Sequence, residues 1–264
     1  MARVSNLIQM MGDAARKAGR GLARDFGEVE NLQVSRKGPA DFVTAADRKA
    51  EEKIFEALSE LRPGYGFLME ERGEVTGSDK SHRWIVDPLD GTLNFMHALP
   101  HFAVSIALER DGVIVAGVVY DVAKDEFFSA EKGKGAFLNE RRIRVSSRKT
   151  LEESVIATGI PFHGKPGHAK FLKELFEISP HVAGVRRFGS AALDLAYVAA
   201  GRYEAFWERG LKPWDIAAGQ LLVREAGGFV RDLDTGGDPV YTGNIIVGNE
   251  PVLKLLSKRL QAAG

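Results

Sequence analysis

A chain of 264 residues with 36 Lys+Arg balanced by 36 Asp+Glu, 6 His and no Cys excludes several functions before any motif is read. Zero net charge argues against a nucleic-acid sleeve or an acidic tail, both of which need a large charge excess. The absence of Cys removes disulfide frameworks, thiolate zinc sites, iron–sulfur clusters and thiol nucleophiles. With 44% hydrophobic and 27% charged residues, the composition is that of a folded soluble chain. Its length fits one large domain or two small lobes sharing a core.

Apolar residues Leu7, Ile8, Met11, Ala14, Ala15, Ala18 and Leu22 recur at spacings of three and four and predict a helix over 3–29. No unbroken apolar stretch follows the N-terminus as a signal peptide requires, and the run 102–108 is too short to span a membrane. A cytoplasmic protein without membrane contact is therefore expected. A short strand is predicted over 32–35, then a turn at Arg36-Lys37-Gly38-Pro39. A second helix starts at Thr44-Ala45-Ala46-Asp47 and stops at Pro63-Gly64. Short strands over 66–69 and 84–86 run straight into carboxylates. Strands over 102–109 and 113–120 flank the hairpin signature Arg110-Asp111-Gly112, with a third strand over 125–130.

Beyond residue 147 the pattern alternates. Strands are predicted near 155–157, 184–187, 204–207, 229–231 and 245–248, and helices over 168–178, 190–200, 215–226 and 250–262. Antiparallel strands first and alternation second predict a layered fold of α+β and α/β character. The expected lobes are 1–146, an N-terminal α+β lobe with an antiparallel sheet and most of the candidate ligands, and 147–264, a C-terminal α/β lobe.

The stretch Trp84-Ile85-Val86-Asp87-Pro88-Leu89-Asp90-Gly91-Thr92-Leu93-Asn94-Phe95 carries the most chemistry. A buried strand delivers Asp87, Pro88 stiffens its exit, and Asp90 can converge on the same point across the turn. The Leu89 carbonyl can face the same way. Gly91-Thr92 opens a short helix whose free N–H groups suit an anion. Hard oxygen ligands beside a phosphate cradle are what Mg²⁺-dependent phosphoryl transfer needs. Glu70-Glu71 ends another apolar strand, and Trp214-Asp215 opens a helix. Taken singly, each of these acids is also an ordinary turn or cap residue.

Together, residues 87–95 and Trp214-Asp215-Ile216-Ala217-Ala218-Gly219 resemble the two signature motifs of the inositol monophosphatase family. The similarity extends through residues 37–47 and the Glu-Ala-Gly-Gly at 225–228, so it spans nearly the whole chain in order. The resemblance implies a layered αβαβα sandwich of the sugar-phosphatase type and a lithium-sensitive, Mg²⁺-dependent phosphomonoesterase, usually a homodimer. It places one metal on Glu70, Asp87 and the Leu89 carbonyl, a second on Asp87, Asp90 and Asp215, and a weaker third sharing Glu70. A water oriented by Thr92 with Asp47 and Glu70 would attack phosphorus held on the Gly91 and Thr92 amides. Met69 departs from the family, which commonly has Gly before the Glu pair.

For the substrate, Gly189-Ser190-Ala191 resembles the family's sugar-side loop, Glu208 its polyol-binding acid, and Lys37 a position on a loop near the metals. Leu93-Asn94-Phe95 resembles the branch that hydrolyses myo-inositol monophosphate. Relatives acting on adenosine 3′,5′-bisphosphate tend to read Lys-Glu-Phe there, and those acting on histidinol phosphate Arg-Ser-Phe. Fructose 1,6-bisphosphate stays open as a further alternative. Some bacterial relatives also serve as non-catalytic partners of the transcription and ribosomal-RNA machinery.

Other signals carry less. Residues 159–166 nearly match a nucleotide P-loop, but Pro166 stands where Ser/Thr should hold Mg²⁺. His97 and His101 are separated by Pro100, which argues against a helical zinc pair. Gly133-Lys134-Gly135 lacks the dinucleotide fingerprint. Arg141, Arg142, Arg144, Arg148 and Lys149 read first as a solvated face and second as a contact for nucleic acid or RNA polymerase.

Overall fold

The computed structural model describes residues 5–26, 34–38 and 41–264, with side chains over 5–26 and 44–264. Helix α1 (Asn6–Phe26) buries Ile8, Met11, Ala14, Ala15, Ala18 and Leu22, the stripe read from the sequence. Strands β1 (Val34–Gly38) and β2 (Asp41–Thr44) pair as an antiparallel ribbon, so 36–38 are strand rather than turn; their register slips between Arg36 and Gly38. Residues 27–33 and 39–40, part of the predicted helix, strand and turn, lie outside the described residues.

Thr44 ends β2 and caps helix α2 (Ala45–Leu61), its side chain accepting from the Ala46 and Asp47 N–H groups. The Asp47 carboxylate in turn accepts the Thr44 N–H at 2.8 Å. This reciprocal box satisfies N–H groups that helix geometry leaves without partners. It also fixes Asp47 at a helix start beneath the site.

An eight-stranded sheet follows. It is built from β3 (Gly66–Met69), β4 (Gly73–Val75), β5 (His82–Asp90), β6 (Ala103–Arg110), β7 (Val113–Asp121), β8 (Glu126–Glu131), β9 (Gly135–Leu138) and β10 (Arg141–Arg142). Their order is β10-β9-β8-β7-β6-β5-β3-β4. The expected antiparallel sheet is in fact mixed, because β3 runs parallel to β5. In the β6–β7 hairpin Asp111 and Gly112 both have positive φ, 51° and 76°, the pair of left-handed residues that lets a tight turn follow strand twist.

The second sheet comprises β11 (Val155–Thr158), β12 (Gly184–Arg186), β13 (Ala205–Glu208), β14 (Phe229–Asp232) and β15 (Ile245–Gly248), ordered β12-β11-β13-β15-β14. Its helices are α4 (His168–Ile178), α5 (Ala191–Ala199), α6 (Pro213–Glu225), α7 (Pro239–Thr242) and α8 (Glu250–Ala262). Helix α3 (Thr92–Met96) follows β5. Strands β2, β4, β9 and β10 and helix α7, each two to four residues long, were not among the predicted elements.

Three apolar cores define the layers. One joins α1 and α2 to the outer face of the large sheet. A second joins α5 and α6 to both sheets, and a third packs the small sheet against α4 and α8. The result is the αβαβα sandwich. Every residue of α5 is buried, which is why the segment reads as continuously apolar rather than striped.

The central layer depends on close approach. A Cβ on Gly117 of β7 would lie 2.9 Å from Ala218 Cα, and one on Gly219 would lie 2.5 Å from Leu195 Cβ. Gly219→Ala is therefore expected to push α5 and α6 apart and destabilise the protein by about 1–3 kcal/mol, the usual cost of overpacking. Thermal unfolding of the variant checks this.

Candidate active site

In a strand, residues three apart point to opposite faces. Asp87 and Asp90 nevertheless serve one side, and the pairing of β5 with β6 shows why. Asp87 sits opposite Ser105 and Asp90 opposite Ala103, so three steps on β5 span two on β6. One extra residue, a β-bulge, restores the two acids to a common side. The Asp87 carboxylate stabilises the bend by accepting the Leu89 N–H at 2.9 Å. The Thr92 hydroxyl reaches back to the Leu89 carbonyl at 3.1 Å.

Asp215 arrives from the first turn of α6, where its carboxylate also accepts the Lys212 N–H at 2.7 Å. It is thus a capping residue and a site residue at once. Asp87, Asp90 and Asp215 each offer an oxygen within 4.8 Å of the others, the only such group of His or acids among the described residues. Glu70 follows β3 and lines the same cavity as Asp215.

The charged neighbours that act most strongly on Asp87 are Glu70, Asp90 and Asp215, all acids. Burial and this repulsion push Asp87 and Asp215 well above the usual carboxylate range. Asp90 is pushed up to about 6, chiefly by burial, even though Ser190 and backbone N–H groups of α5 counter the shift. Convergent, partly desolvated carboxylates with no cation to balance them, and a carbonyl at the same bend, make an all-oxygen donor set. Such a set fits a hard divalent cation and has no ligand that would favour a soft one.

The turn beyond these acids is held by specific contacts. Gly91 has φ 94°, and a Cβ there would lie 3.0 Å from the His101 carbonyl and 3.4 Å from that of Gly189. Asn94 donates to the carbonyls of His101 at 2.8 Å and Phe188 at 2.7 Å, fastening the loop before α5 to the turn after β5. The Thr92 hydroxyl also lies 3.0 Å from Asp47 Oδ1. Asp47 is fully buried, and desolvation raises its pKa.

The other expected substrate contacts fare differently. Ser190 caps α5 and donates to Asp90 Oδ2 at 2.5 Å, while the Ala192 N–H donates to the same oxygen at 2.7 Å. Ser190 is therefore engaged with a candidate ligand, and Gly189 and Ala191 flank it. Glu208 ends β13 and lies against residue 159, its carboxyl carbon 1.9 Å from where a Cβ on Gly159 would be. Burial and the Asp90 charge push it up to about 8. Its sequence neighbour Arg209 pairs with Glu174 at 2.6 Å and Asp234 at 3.2 Å. Lys37 falls in β1, and its side chain lies outside the described residues.

Two buried acids near the site were not singled out from the sequence. Glu51 of α2 accepts the Glu71 N–H at 2.8 Å and so pins the turn that carries Glu70. Asp194, 1% exposed in the first turn of α5, has an unpartnered Oδ1 and feels the charges of Glu208 and Asp90. The available signals are the four-residue spacing of Asp47 and Glu51 and a lone charge inside the apolar run of α5.

The set-aside motifs also find places. His101 packs on Phe188 and Tyr197, and burial lowers its pKa to about 4. Arg148 of the basic cluster is bound to buried Glu204 at 3.0 Å. The P-loop-like residues line a 530 Å³ cavity together with Glu70, Glu208 and Asp215.

Comparison with known proteins identifies the family. The chain is 61% identical to an inositol-1-monophosphatase of Mesorhizobium japonicum over 99% of this chain and 98% of that one. It is 46% identical to the Nus factor SuhB of Escherichia coli over 92% of this chain and 91% of the other. A crystal structure of the extragenic suppressor protein suhB from Bartonella henselae superposes with a TM-score of 0.95 at 59% identity, covering 97% of this chain and 99% of that one. The inositol monophosphatase family model matches residues 4–263. The chain belongs to the inositol monophosphatase family, whose members are metal-dependent phosphatases.

Proposed function

We propose that the protein is a Mg²⁺-dependent phosphomonoesterase that hydrolyses myo-inositol monophosphate to myo-inositol and phosphate. The observation that carries this is the convergence of Asp87, Asp90 and Asp215 within 4.8 Å, beside a Thr92–Asp47 contact of 3.0 Å. The relatives named inositol-1-monophosphatase support the substrate. Glu70, Asp87, the Leu89 carbonyl, Asp90 and Asp215 would hold two to three Mg²⁺ ions. When bound, such ions acidify water and stabilise the oxygens that gain charge in phosphoryl transfer.

The chain's own groups do the rest. The Thr92 hydroxyl has one hydrogen, and both Asp47 Oδ1 and the Leu89 carbonyl are placed to accept it. With that hydrogen directed inward, the oxygen lone pairs are left for a proton of the attacking water. Asp47, buried and raised in pKa, is the group that can take a proton through Thr92, and Glu70 would help orient the same water. The Gly91 and Thr92 amides would face the phosphate oxygens. Glu208, Gly189, Ser190 and Ala191 would receive the ring hydroxyls. The Glu208 carboxyl oxygens can accept from the hydroxyls of a polyol. Lys37 would add a substrate-binding cation.

Thr92→Val keeps the side-chain shape and removes the hydroxyl. Its kcat is expected to fall by about 10²–10⁴-fold, the range of a general acid–base group, while the Mg²⁺ concentration for half-activity stays within about two-fold. Steady-state rates across a Mg²⁺ titration check both halves of this statement.

Exposed apolar side chains beside the site, Leu99 at 52% and Phe188 at 44%, support a homodimer. Lithium sensitivity belongs to the same reading, with Li⁺ competing for one of the oxygen-rich cation sites. Among the described residues no helix is long and apolar enough to cross a membrane. The lack of Cys supports a cytoplasmic location. A transcription role, suggested by the relative named Nus factor SuhB, draws less support, since Arg148 of the basic cluster serves an internal ion pair.

The substrate is tested by kcat/KM for myo-inositol 1-phosphate, fructose 1,6-bisphosphate, adenosine 3′,5′-bisphosphate and histidinol phosphate. Highest efficiency with the inositol ester is expected. A clear preference for adenosine 3′,5′-bisphosphate or histidinol phosphate overturns the assignment.

A further inference from the structure

Helix α2 carries two buried acids one turn apart, Asp47 and Glu51. Residues four apart lie on one face of a helix, so both acids serve the same side. Asp47 meets Thr92, whereas Glu51 reaches the turn Glu70-Glu71-Arg72 between β3 and β4. Glu51 accepts the Glu71 N–H at 2.8 Å and a second backbone bond from Arg72. A carboxylate only accepts, and two converging N–H donors are what a buried one needs. Among the described residues the acids whose oxygens converge are Asp87, Asp90 and Asp215, and Glu51 is not one of them.

The turn that Glu51 holds carries Glu70. Met69 pairs with Gly73 across its base, and Gly73 has φ 79°, the left-handed residue that closes a three-residue hairpin. The Glu70 N–H donates to the Val86 carbonyl at 3.2 Å, which sets the Glu70 backbone beside β5 one residue before Asp87. The Glu70 and Asp87 carboxyl groups lie within hydrogen-bonding reach of each other. Met69, where the family commonly has Gly, is fully buried in the core under α1 and α2, so its bulk anchors the base of the turn. On the outside, Arg72 pairs with Glu52 and lies 4.1 Å over the Phe55 ring. That ion pair is solvent-exposed and contributes little. The buried polar hold on the turn is Glu51.

We propose that Glu51 is a positioning residue for Glu70: it fixes the turn from which Glu70 reaches a cation beside Asp87, and so sets how tightly Mg²⁺ is held. Groups that orient a ligand without touching the metal account for about 10–100-fold in metal affinity. One face of α2 thus supports two parts of the centre, the proton acceptor through Asp47 and the ligand turn through Glu51. Only the second should respond to a change at residue 51.

The inference rests on the metal-centre reading, and the experiment separates the two. Mg²⁺ is titrated calorimetrically into chelator-stripped, substrate-free protein, and kcat for myo-inositol 1-phosphate is measured at saturating Mg²⁺. Glu51→Leu, which lacks any acceptor, should raise the Mg²⁺ dissociation constant about 10–100-fold. Glu51→Gln, whose amide can satisfy one N–H but not both, should raise it about three- to ten-fold. In both, kcat at saturating Mg²⁺ should stay within about three-fold of wild type, because Thr92 and Asp47 keep their contact. Glu52→Gln removes a neighbouring charge from the same helix and should leave the dissociation constant unchanged. A role confined to stability would lower the melting temperature in chelator with no change in Mg²⁺ affinity, and that result overturns the proposal. So does an equal rise in Glu52→Gln, which would assign the effect to charge alone. If Glu51→Leu does not fold, Glu51→Gln decides by the same criteria. If wild type itself binds no Mg²⁺, the metal-centre reading falls.

Discussion

Asp90→Asn should abolish turnover while leaving the fold intact. The Asp90 oxygen that accepts from Ser190 and the Ala192 N–H can be replaced by an amide oxygen, so the tie between the end of β5 and the start of α5 survives. What is lost is one negative charge on a cation ligand, and an amide NH₂ takes the place of the second oxygen. Loss of kcat by at least about 10²–10³-fold is expected, the range seen when one electrostatic stabiliser of a developing charge is removed. The metal-free variant should unfold no earlier than wild type, because Asp90 repels Asp87, Asp215 and Glu208. Rates across a Mg²⁺ titration, with melting curves in chelator, check this. Near-normal activity at saturating Mg²⁺ would remove Asp90 from the site.

The second large effect is on stability. Asp87 and Asp215 are raised well above 3.8, Asp90 is raised to about 6 and Glu208 to about 8. A raised carboxylate pKa means that the folded protein keeps a proton that the unfolded chain has already released. Between the two values the folded state binds more protons, so stability falls as pH rises. For Asp90 this loss runs from about pH 4 to about 6, and Glu208 extends it to about 8. Acids lowered by their partners, such as Asp79 at about 2, act only below this window. The metal-free protein should therefore melt at a lower temperature at pH 8 than at pH 6. Mg²⁺ should stabilise more at pH 8, because binding must displace the retained protons at lower pH. At a hundred times its dissociation constant a single bound ion contributes about 2.7 kcal/mol. Equal melting temperatures at the two pH values in chelator would show that these carboxylates do not retain protons in the folded protein.

The candidate ligand acids were legible in the sequence only together: singly each reads as a turn or cap residue at a strand end or helix start, and the two family-like motifs at 87–95 and 214–219 set them in one site. How two of them converge was not. Simple strand alternation would send Asp87 and Asp90 to opposite faces, and the correcting bulge depends on the partner strand β6. Periodicity located α1 and α2, which bury one face, but only continuous apolarity marked α5, which is enclosed by both sheets. Glu51 and Asp194 went unread because their significance depends on neighbours 20 residues away in the Glu71 N–H and on separate elements around α5. Ser190 was legible as a helix cap, whereas its bond to Asp90 spans 100 residues and needs the assembled layers. Asn94, read only as a marker of substrate branch, is also a structural clasp on the loop at 188–189.

The central claim is that one cluster of acids from β5 and α6, with Glu70, makes a metal-dependent phosphatase centre. It is tested most directly by measuring phosphate release from myo-inositol 1-phosphate with protein stripped by chelation and then titrated with Mg²⁺. The expected result is no turnover in the stripped protein and full, saturable recovery with Mg²⁺. Undiminished turnover by the chelated protein would contradict it.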